Sequence, residues 1–295
     1  TCALPILAMR SKSPYGPYEW KRVLERGKTT MNGPHQGGWI HTKYGEDWFI
    51  HFQDKGPYGR VCHLQPVDWS SGWPVMGNAG EPYWKFRKPK SDSKTIVNPV
   101  ETDEFDSSKL GMQWQWQNDY KESYGQATSM GFFRLFTYAL PELGDVSNLW
   151  YVPNMLLQKT PADEFTATTK LSFCSRNSDQ YVGLVCMSAE YSSVGLQRTE
   201  DGYELQIRHN PNAMRTHLTD EVLTVDTLKP TQKGTPRKGR PAEMHIKDVY
   251  LRMSIKDSKV NYAYSIDGKK WKKAGGEYAM GKGRWIGSKI GFFAV

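Results

Sequence analysis

Apolar and polar positions alternate along this chain in short runs and almost nowhere recur at helical spacing. Period-two alternation predicts strands at residues 48–52, 60–64, 132–138, 165–174, 181–188, 203–207, 249–256, 260–266 and 289–294. Turn signals separate them: Tyr44-Gly45, Asp54-Lys55-Gly56, Glu200-Asp201-Gly202 and Ile266-Asp267-Gly268. Many short strands punctuated in this way predict an antiparallel all-β architecture, whether sandwich, barrel or propeller.

Residues 85–98 interrupt the pattern. They are rich in Lys, Ser and Pro and carry no apolar period, as a linker does. The division near residue 98 leaves about two hundred residues of strands and hairpins after it, the size of one large sandwich. The segment before it, residues 1–84, is too short and loop-rich to close its own sheet edges, so it reads as the last blade or so of a larger repeat structure.

Composition narrows the picture further. The chain is 38% hydrophobic and 24% charged, with no apolar run long enough to span a bilayer. Its net charge of +8 divides unevenly: residues 1–98 hold 14 Lys+Arg against 8 Asp+Glu, a surplus of +6, and the remaining 25 against 23 add +2. Basic clusters at 87–90, 237–240 and 269–273 fall in three separate turn-like contexts without a nucleic-acid-binding motif, which marks them as solvated loops. Neither a nucleic acid nor a membrane is an expected partner, and the sequence leaves the oligomeric state open. Cys2, Cys62, Cys174 and Cys186 lack metal-type spacing. Cys174 and Cys186 flank a predicted hairpin turn at 175–180; buried free thiols are expected rather than a disulfide. Thr1-Cys2-Ala3-Leu4-Pro5-Ile6 is what a common sequencing-adapter read translates to, so native sequence is expected to begin near Leu7.

The stretch 32–74 concentrates the chemistry. Asn32-Gly33-Pro34-His35-Gln36-Gly37-Gly38-Trp39 is followed by Gly45-Glu46-Asp47-Trp48-Phe49, by His51-Phe52-Gln53-Asp54, by Tyr58-Gly59-Arg60, by His63-Leu64-Gln65-Pro66 and by Gly72-Trp73-Pro74-Val75. Turn residues, aromatics, histidines and amides with hardly an aliphatic run make a poor core and a good wall for a polar, ring-shaped ligand. Eleven tryptophans and 16 tyrosines are compatible with either use, since an indole face packs equally on a sugar and on a core. By spacing alone, His35 is a structural hydrogen-bonder in a tight loop. Arg60, opening a strand after Gly59, is either a rim ion pair or a reach toward a ligand. His51, Gln53, His63 and Gln65 alternate so as to share one face, as ligands or as polar packing. Trp114 and Trp116 alternate with Gln113 and Gln115, which points both indoles to one face and predicts their burial between sheets.

This ordered succession of motifs resembles the end of the catalytic domain of glycoside hydrolase family 43, which includes β-xylosidases and α-L-arabinofuranosidases. Arg10-Ser11-Lys12-Ser13-Pro14-Tyr15-Gly16-Pro17-Tyr18-Glu19 fits the same picture. The resemblance continues through Asp103-Glu104-Phe105-Asp106, Leu110-Gly111-Met112-Gln113-Trp114-Gln115-Trp116 and Leu156-Leu157-Gln158-Lys159, which look like the concanavalin-A-like sandwich of β-xylosidase-type members. It implies the last blade or blades of a five-bladed propeller over residues 1–84, a linker at 85–98 and that sandwich over 99–295, with a further short strand expected after Val295.

The implied enzyme is an inverting, exo-acting glycosidase of hemicellulose oligosaccharides. One carboxylate activates water, a second tunes the acid, and a glutamic acid protonates the leaving oxygen, with acid and base roughly 6.5–9.5 Å apart. In family members these carboxylates precede the segment matching Asn32, so no catalytic residue is expected in this chain. The resemblance also implies that His35 points into the axial cavity, near a metal or water. A structural calcium there would meet His35 only through water, because calcium wants several oxygen ligands. Arg60 would hold the terminal sugar, and Trp285 would lean over the pocket from the sandwich, although a core or surface tryptophan is the plain alternative. No cofactor is required. Xylo- or arabino-oligosaccharides are the implied substrates, and an extracellular or periplasmic setting is favoured over the cytoplasm. The competing class is a non-catalytic carbohydrate-binding or buttressing sandwich.

Overall fold

A computed structural model describes residues 5–140, 148–215, 218–236, 240–283 and 285–295, apart from the side chain of His35. The chain divides into two compact units, Thr1–Val97 and Asn98–Val295. None of the described helices is long and apolar enough to cross a membrane.

In the first unit, β1 (Ile6–Arg10) and β2 (Glu19–Leu24) form an antiparallel hairpin. β3 (His35–His41), β4 (Asp47–Asp54), β5 (Arg60–Asp68) and β6 (Val75–Met76) form a four-stranded sheet whose spatial order follows the chain. Such a meander arises where consecutive strands are joined by short turns; here Gly45, at φ 71°, takes the left-handed position between β3 and β4. Val23 and Leu24 of β2 pack with Phe49 of β4 and Met76 of β6, forming a small apolar core. Residues 85–97 form no strand and are largely exposed, yet they are not a free tether. Arg87 pairs with Glu46 at 2.6 Å, the Lys90 amide donates to the same carboxylate at 2.8 Å, and Lys43 pairs with Asp92.

The second unit is a two-sheet sandwich with an accessory hairpin. Its strands are β7 (Gln115–Trp116), β8 (Gly125–Ala127), β9 (Phe133–Leu135), β10 (Leu156–Lys159), β11 (Phe165–Ser175), β12 (Tyr181–Met187), β13 (Tyr191–Arg198), β14 (Tyr203–Asn210), β15 (Glu221–Leu228), β16 (Gln232–Lys233), β17 (Met244–Lys256), β18 (Lys259–Ser265), β19 (Lys272–Ala279) and β20 (Lys289–Ala294). One sheet runs β15-β14-β13-β12-β20-β10-β7; the other runs β11-β17-β18-β19, with β16 also on β17; β8 and β9 pair apart from both.

Alternation decides what lies between the sheets. Val182, Leu184 and Cys186 of β12, Val194 and Leu196 of β13, and Leu205 and Ile207 of β14 share one face by register, and all are buried. Tyrosines fasten this face to the opposing sheet. Tyr203 Oη donates to the Met244 carbonyl at 2.7 Å, and Tyr262 Oη donates to the Ser192 carbonyl at 2.7 Å. A buried hydroxyl that found no acceptor would cost about 1–3 kcal/mol, so these bonds hold the two sheets in register.

Several expectations need correction. The run 175–180 is no hairpin turn, because β11 and β12 belong to different sheets. Cys174 and Cys186 therefore do not face each other: Cys186 is buried, while Cys174 and Cys62 are exposed rather than buried. Trp114 and Trp116 do share a side, with Trp116 cross-strand from Leu156 and Trp114 against Phe292 at 5.4 Å between ring centres. They are half-buried rather than sealed between sheets. The expected strand at 132–138 shrinks to Phe133–Leu135. Eleven of the twenty strands among the described residues escaped the pattern, β13, β15 and β19 the longest of them. β13 is buried on both faces, which replaces alternation with small residues, whereas β15 and β19 are edge strands; β15 exposes four residues in a row and β19 carries charge at Lys272, Lys273 and Glu277.

Candidate functional site

The site-bearing end of the first sheet is built around Phe52. β3 opens at His35, paired with Phe52 of β4, and its register shifts between His35 and Gly38. This is a bulge: Gln36 sits at φ 52°, and a Cβ on Gly37 would lie 2.2 Å from Phe49 Cζ and 2.3 Å from the Ile50 carbonyl oxygen. Glycine is thus required at 37 for β3 to lie against β4 while turning Gln36 toward β5. Arg60 opens β5 after Gly59, itself at φ 80°. Its guanidinium lies 4.5 Å from the centre of the Phe52 ring, and Nη1 donates to Gln36 Oε1 at 3.4 Å. The backbone of His35 and the side chain of Arg60 therefore converge on Phe52, although they are far apart in sequence. The side chain of His35 lies outside the described residues.

The neighbouring polar face has a different purpose. His51 is 2% exposed, Gln53 7% and Gln65 0%, so these groups are walled in. The His51 and His63 rings stack at 5.4 Å; Gln53 bonds both His63 Nε2, at 3.2 Å, and the Thr30 carbonyl, at 2.9 Å. Gln65 exchanges two hydrogen bonds with the Tyr83 backbone. Burial lowers both histidine pKa values, keeping the rings neutral. Of the two readings of this face, the structure selects polar packing.

A glycosidase acid needs a carboxyl whose pKa is raised; before residue 98, Glu46, Asp47, Asp68 and Asp92 are instead shifted down. Glu19 pairs with Arg10, and Glu25 with Arg22. Glu46 is nearly covered, and the Lys90 amide, followed by Arg87, lowers its pKa. Asp47 accepts from His41 at 2.8 Å and from the Trp39 indole at 2.9 Å, and its pKa is lowered, chiefly by His41. Asp54 accepts the Gly56 amide, and Glu81 the Lys28 amide. Asp68 is lowered by Ser70, and Asp92 by Lys43. All eight carboxylates of residues 1–98 are thus engaged in turns or ion pairs. Among the described residues, burial raises the carboxyl pKa of Asp220, in the second unit, where it accepts from Tyr191 and Asn210. It closes a packed network rather than facing a cleft.

Trp285 lies in the second unit, 72% exposed and at φ 64°. The neighbouring Ile286, Gly287 and Lys289 line a small depression with Gln117, Trp150 and Met187. Lys289 Nζ donates to Gln117 Oε1 at 2.9 Å, and burial lowers its pKa.

Residues 102–295 match the β-xylosidase C-terminal concanavalin A-like domain, and residues 4–74 match glycosyl hydrolases family 43. The chain belongs to glycoside hydrolase family 43. It is 32% identical over 290 residues to a putative β-xylosidase from Xylanibacter ruminicola, covering 96% of this chain and 49% of that protein. It is 29% identical to a β-xylosidase from Formosa agariphila, covering 98% and 50% respectively. It is also similar to a non-reducing end α-L-arabinofuranosidase from Bacteroides ovatus, 27% identical over 87% of this chain and 46% of that protein. The chain thus spans about half the length of the curated relatives it matches. Among solved structures, a xylan β-1,4-xylosidase from Bacillus halodurans superposes with a TM-score of 0.76 at 18% identity, over 97% of this chain and 56% of that one. At that identity the likeness speaks for the fold.

The fold of this family 43 chain is accordingly all-β, with the sheet β3–β6 as a closing blade of the propeller and the second unit as the concanavalin-A-like sandwich. Calcium finds no donor set in the described residues at this end of the blade. Gln36 Oε1 is taken by a cationic guanidinium and Asp54 is committed to its turn, whereas calcium takes 6–8 oxygens. Two partners of the site escaped sequence reasoning. Phe52 was readable from strand register once His35 was placed opposite it, whereas the left-handed turn at Gln36 left no signal in the residue type.

Proposed function

We propose that this chain is the C-terminal part of an inverting, exo-acting β-xylosidase or α-L-arabinofuranosidase of hemicellulose oligosaccharides, and that it supplies substrate-positioning residues while acid and base come from sequence outside it. The observation that carries this reading is the arrangement at Phe52: Arg60 over its ring and tied to Gln36, beside the start of β3 at His35, with the eight carboxylates of residues 1–98 held in turns and ion pairs. The names of the matched relatives, β-xylosidase and α-L-arabinofuranosidase, support the pentose class.

In this reading Arg60 presents its guanidinium edge to sugar hydroxyls. Phe52 fixes the plane of the fork, so little rotamer freedom is lost on binding. Any calcium at the propeller axis would draw its oxygens from the remainder of the protein. Inversion follows from a single displacement by water, which requires acid and base far enough apart to admit it.

The test is to express the full-length protein from its locus and follow hydrolysis of an aryl β-xyloside and an aryl α-L-arabinofuranoside by proton NMR. Release of pentose with inverted anomeric configuration is expected from one or both. Retention at the anomeric carbon, or turnover of neither substrate, overturns the proposal.

A further inference from the structure

The ladder between β11 and β17 ends in a side-chain cluster that the glycosidase reading does not use. Cys174 is cross-strand from His245, and Glu243 lies two residues before His245 on the same side. Alternation dictates their direction. Phe173 and Ser175 on β11, and Met244 and Ile246 on β17, are 6%, 4%, 1% and 4% exposed, so the residues between them turn outward. Cys174 is exposed, while Glu243 and His245 are half-buried. Their donor atoms approach one another closely: Cys174 Sγ to Glu243 Oε1 3.1 Å, Cys174 Sγ to His245 Nε2 3.4 Å, and His245 Nε2 to Glu243 Oε2 3.8 Å.

We propose that Cys174, Glu243 and His245 form a binding site for a divalent cation of the zinc class, independent of the sugar site. A tetrahedral zinc ion, about 2.3 Å from sulfur and about 2.0–2.1 Å from nitrogen and oxygen, sets its ligand atoms about 3.3–3.6 Å apart. The Cys174–His245 separation lies in that range, and one oxygen of Glu243 lies within 4.8 Å of both other donors, so uptake needs a rotation of the carboxylate and modest side-chain shifts. Thiolate, imidazole and carboxylate are the donors that zinc and cobalt favour over calcium or magnesium. Three protein ligands leave a fourth position for water.

Without the cation, the thiol donates its proton to Glu243, and burial together with that carboxylate pushes the thiol pKa up to about 11. Uptake replaces this proton with the metal and releases it to solvent. One group opposes binding: Arg176 Nη2 lies 3.5 Å from Glu243 Oε2 and competes for the carboxylate. The bound ion would staple two strands of the five-stranded sheet at one end and stabilise the folded chain by mass action.

The experiment titrates the untagged chain with cobalt(II), then with zinc against a chromophoric chelator. The proposal expects stoichiometric cobalt uptake with a thiolate-to-cobalt charge-transfer band that zinc abolishes. Cys174→Ser, a near-isosteric change at an exposed position, removes the band. His245→Ala and Glu243→Gln weaken zinc binding by at least about tenfold, while Arg176→Ala tightens it. Circular dichroism verifies that each variant is folded. Absence of the band in the parent chain, or a band that survives in Cys174→Ser, overturns the site; so does zinc affinity that is indifferent to His245→Ala.

Discussion

Arg60 has an aromatic ring beneath it and an amide oxygen beside it, contacts that in the proposed reading orient its guanidinium for sugar hydroxyls. Truncation to alanine removes an exposed cation–π contact of about 0.5–1 kcal/mol, so the folded chain should hardly notice it. In the full-length enzyme the effect should appear instead in substrate binding. Losing charge-assisted bonds of about 1.5–3 kcal/mol raises KM roughly 10–100-fold for Arg60→Ala. Arg60→Lys should recover only part of this, because an ammonium lacks the planar fork. Steady-state kinetics on an aryl pentoside distinguish the roles: a rim ion pair predicts an unchanged KM in both variants. At this scale the sequence was informative about type and poor about surroundings. Arg60 opening a strand after Gly59 could be read from its turn context. Gln36 could not, since its part depends on a left-handed backbone angle that glutamine does not advertise.

The strand pair β4–β5 shows what a blade does with polar residues on its packed side. His51 and His63 stack within it, and burial lowers the pKa of both. A histidine with a lowered folded-state pKa binds protons more readily when unfolded. Its stabilising contribution is therefore complete above the ordinary value near about 6.5 and is lost as pH falls through that value toward the lowered one. Thermal melts should thus show the first unit losing stability between neutral and mildly acidic pH. His51→Phe keeps the ring on Phe49 and His63 while removing a titrating group, so it should flatten that dependence. An equal pH dependence in the variant would contradict this account of the face. Elements were legible where one face met solvent and the other a core, as in β4, β11, β17 and β18. Legibility failed for β13, whose two faces are both covered, and for the turn between β11 and β12. There, loop composition marks a change of direction without saying whether the chain stays in its sheet.

On the scale of the molecule, two units of unequal self-sufficiency follow one another. The sandwich closes its own core through tyrosines that tie sheet to sheet. The first unit leaves Ile50, Leu64, Trp39 and Val61 at 39%, 38%, 59% and 37% exposed, as a blade does whose neighbours lie elsewhere in a protein. The chain spans about half of its relatives, and the eight carboxylates of residues 1–98 are bound into turns and ion pairs. In the proposed reading these residues serve recognition and others transfer the proton. That division is tested most directly by incubating the purified 295-residue chain with aryl β-xyloside and aryl α-L-arabinofuranoside and measuring aglycone release. No turnover above the uncatalysed rate is predicted for either substrate. Turnover that disappears on mutation of any carboxylate among residues 1–98 would contradict the account.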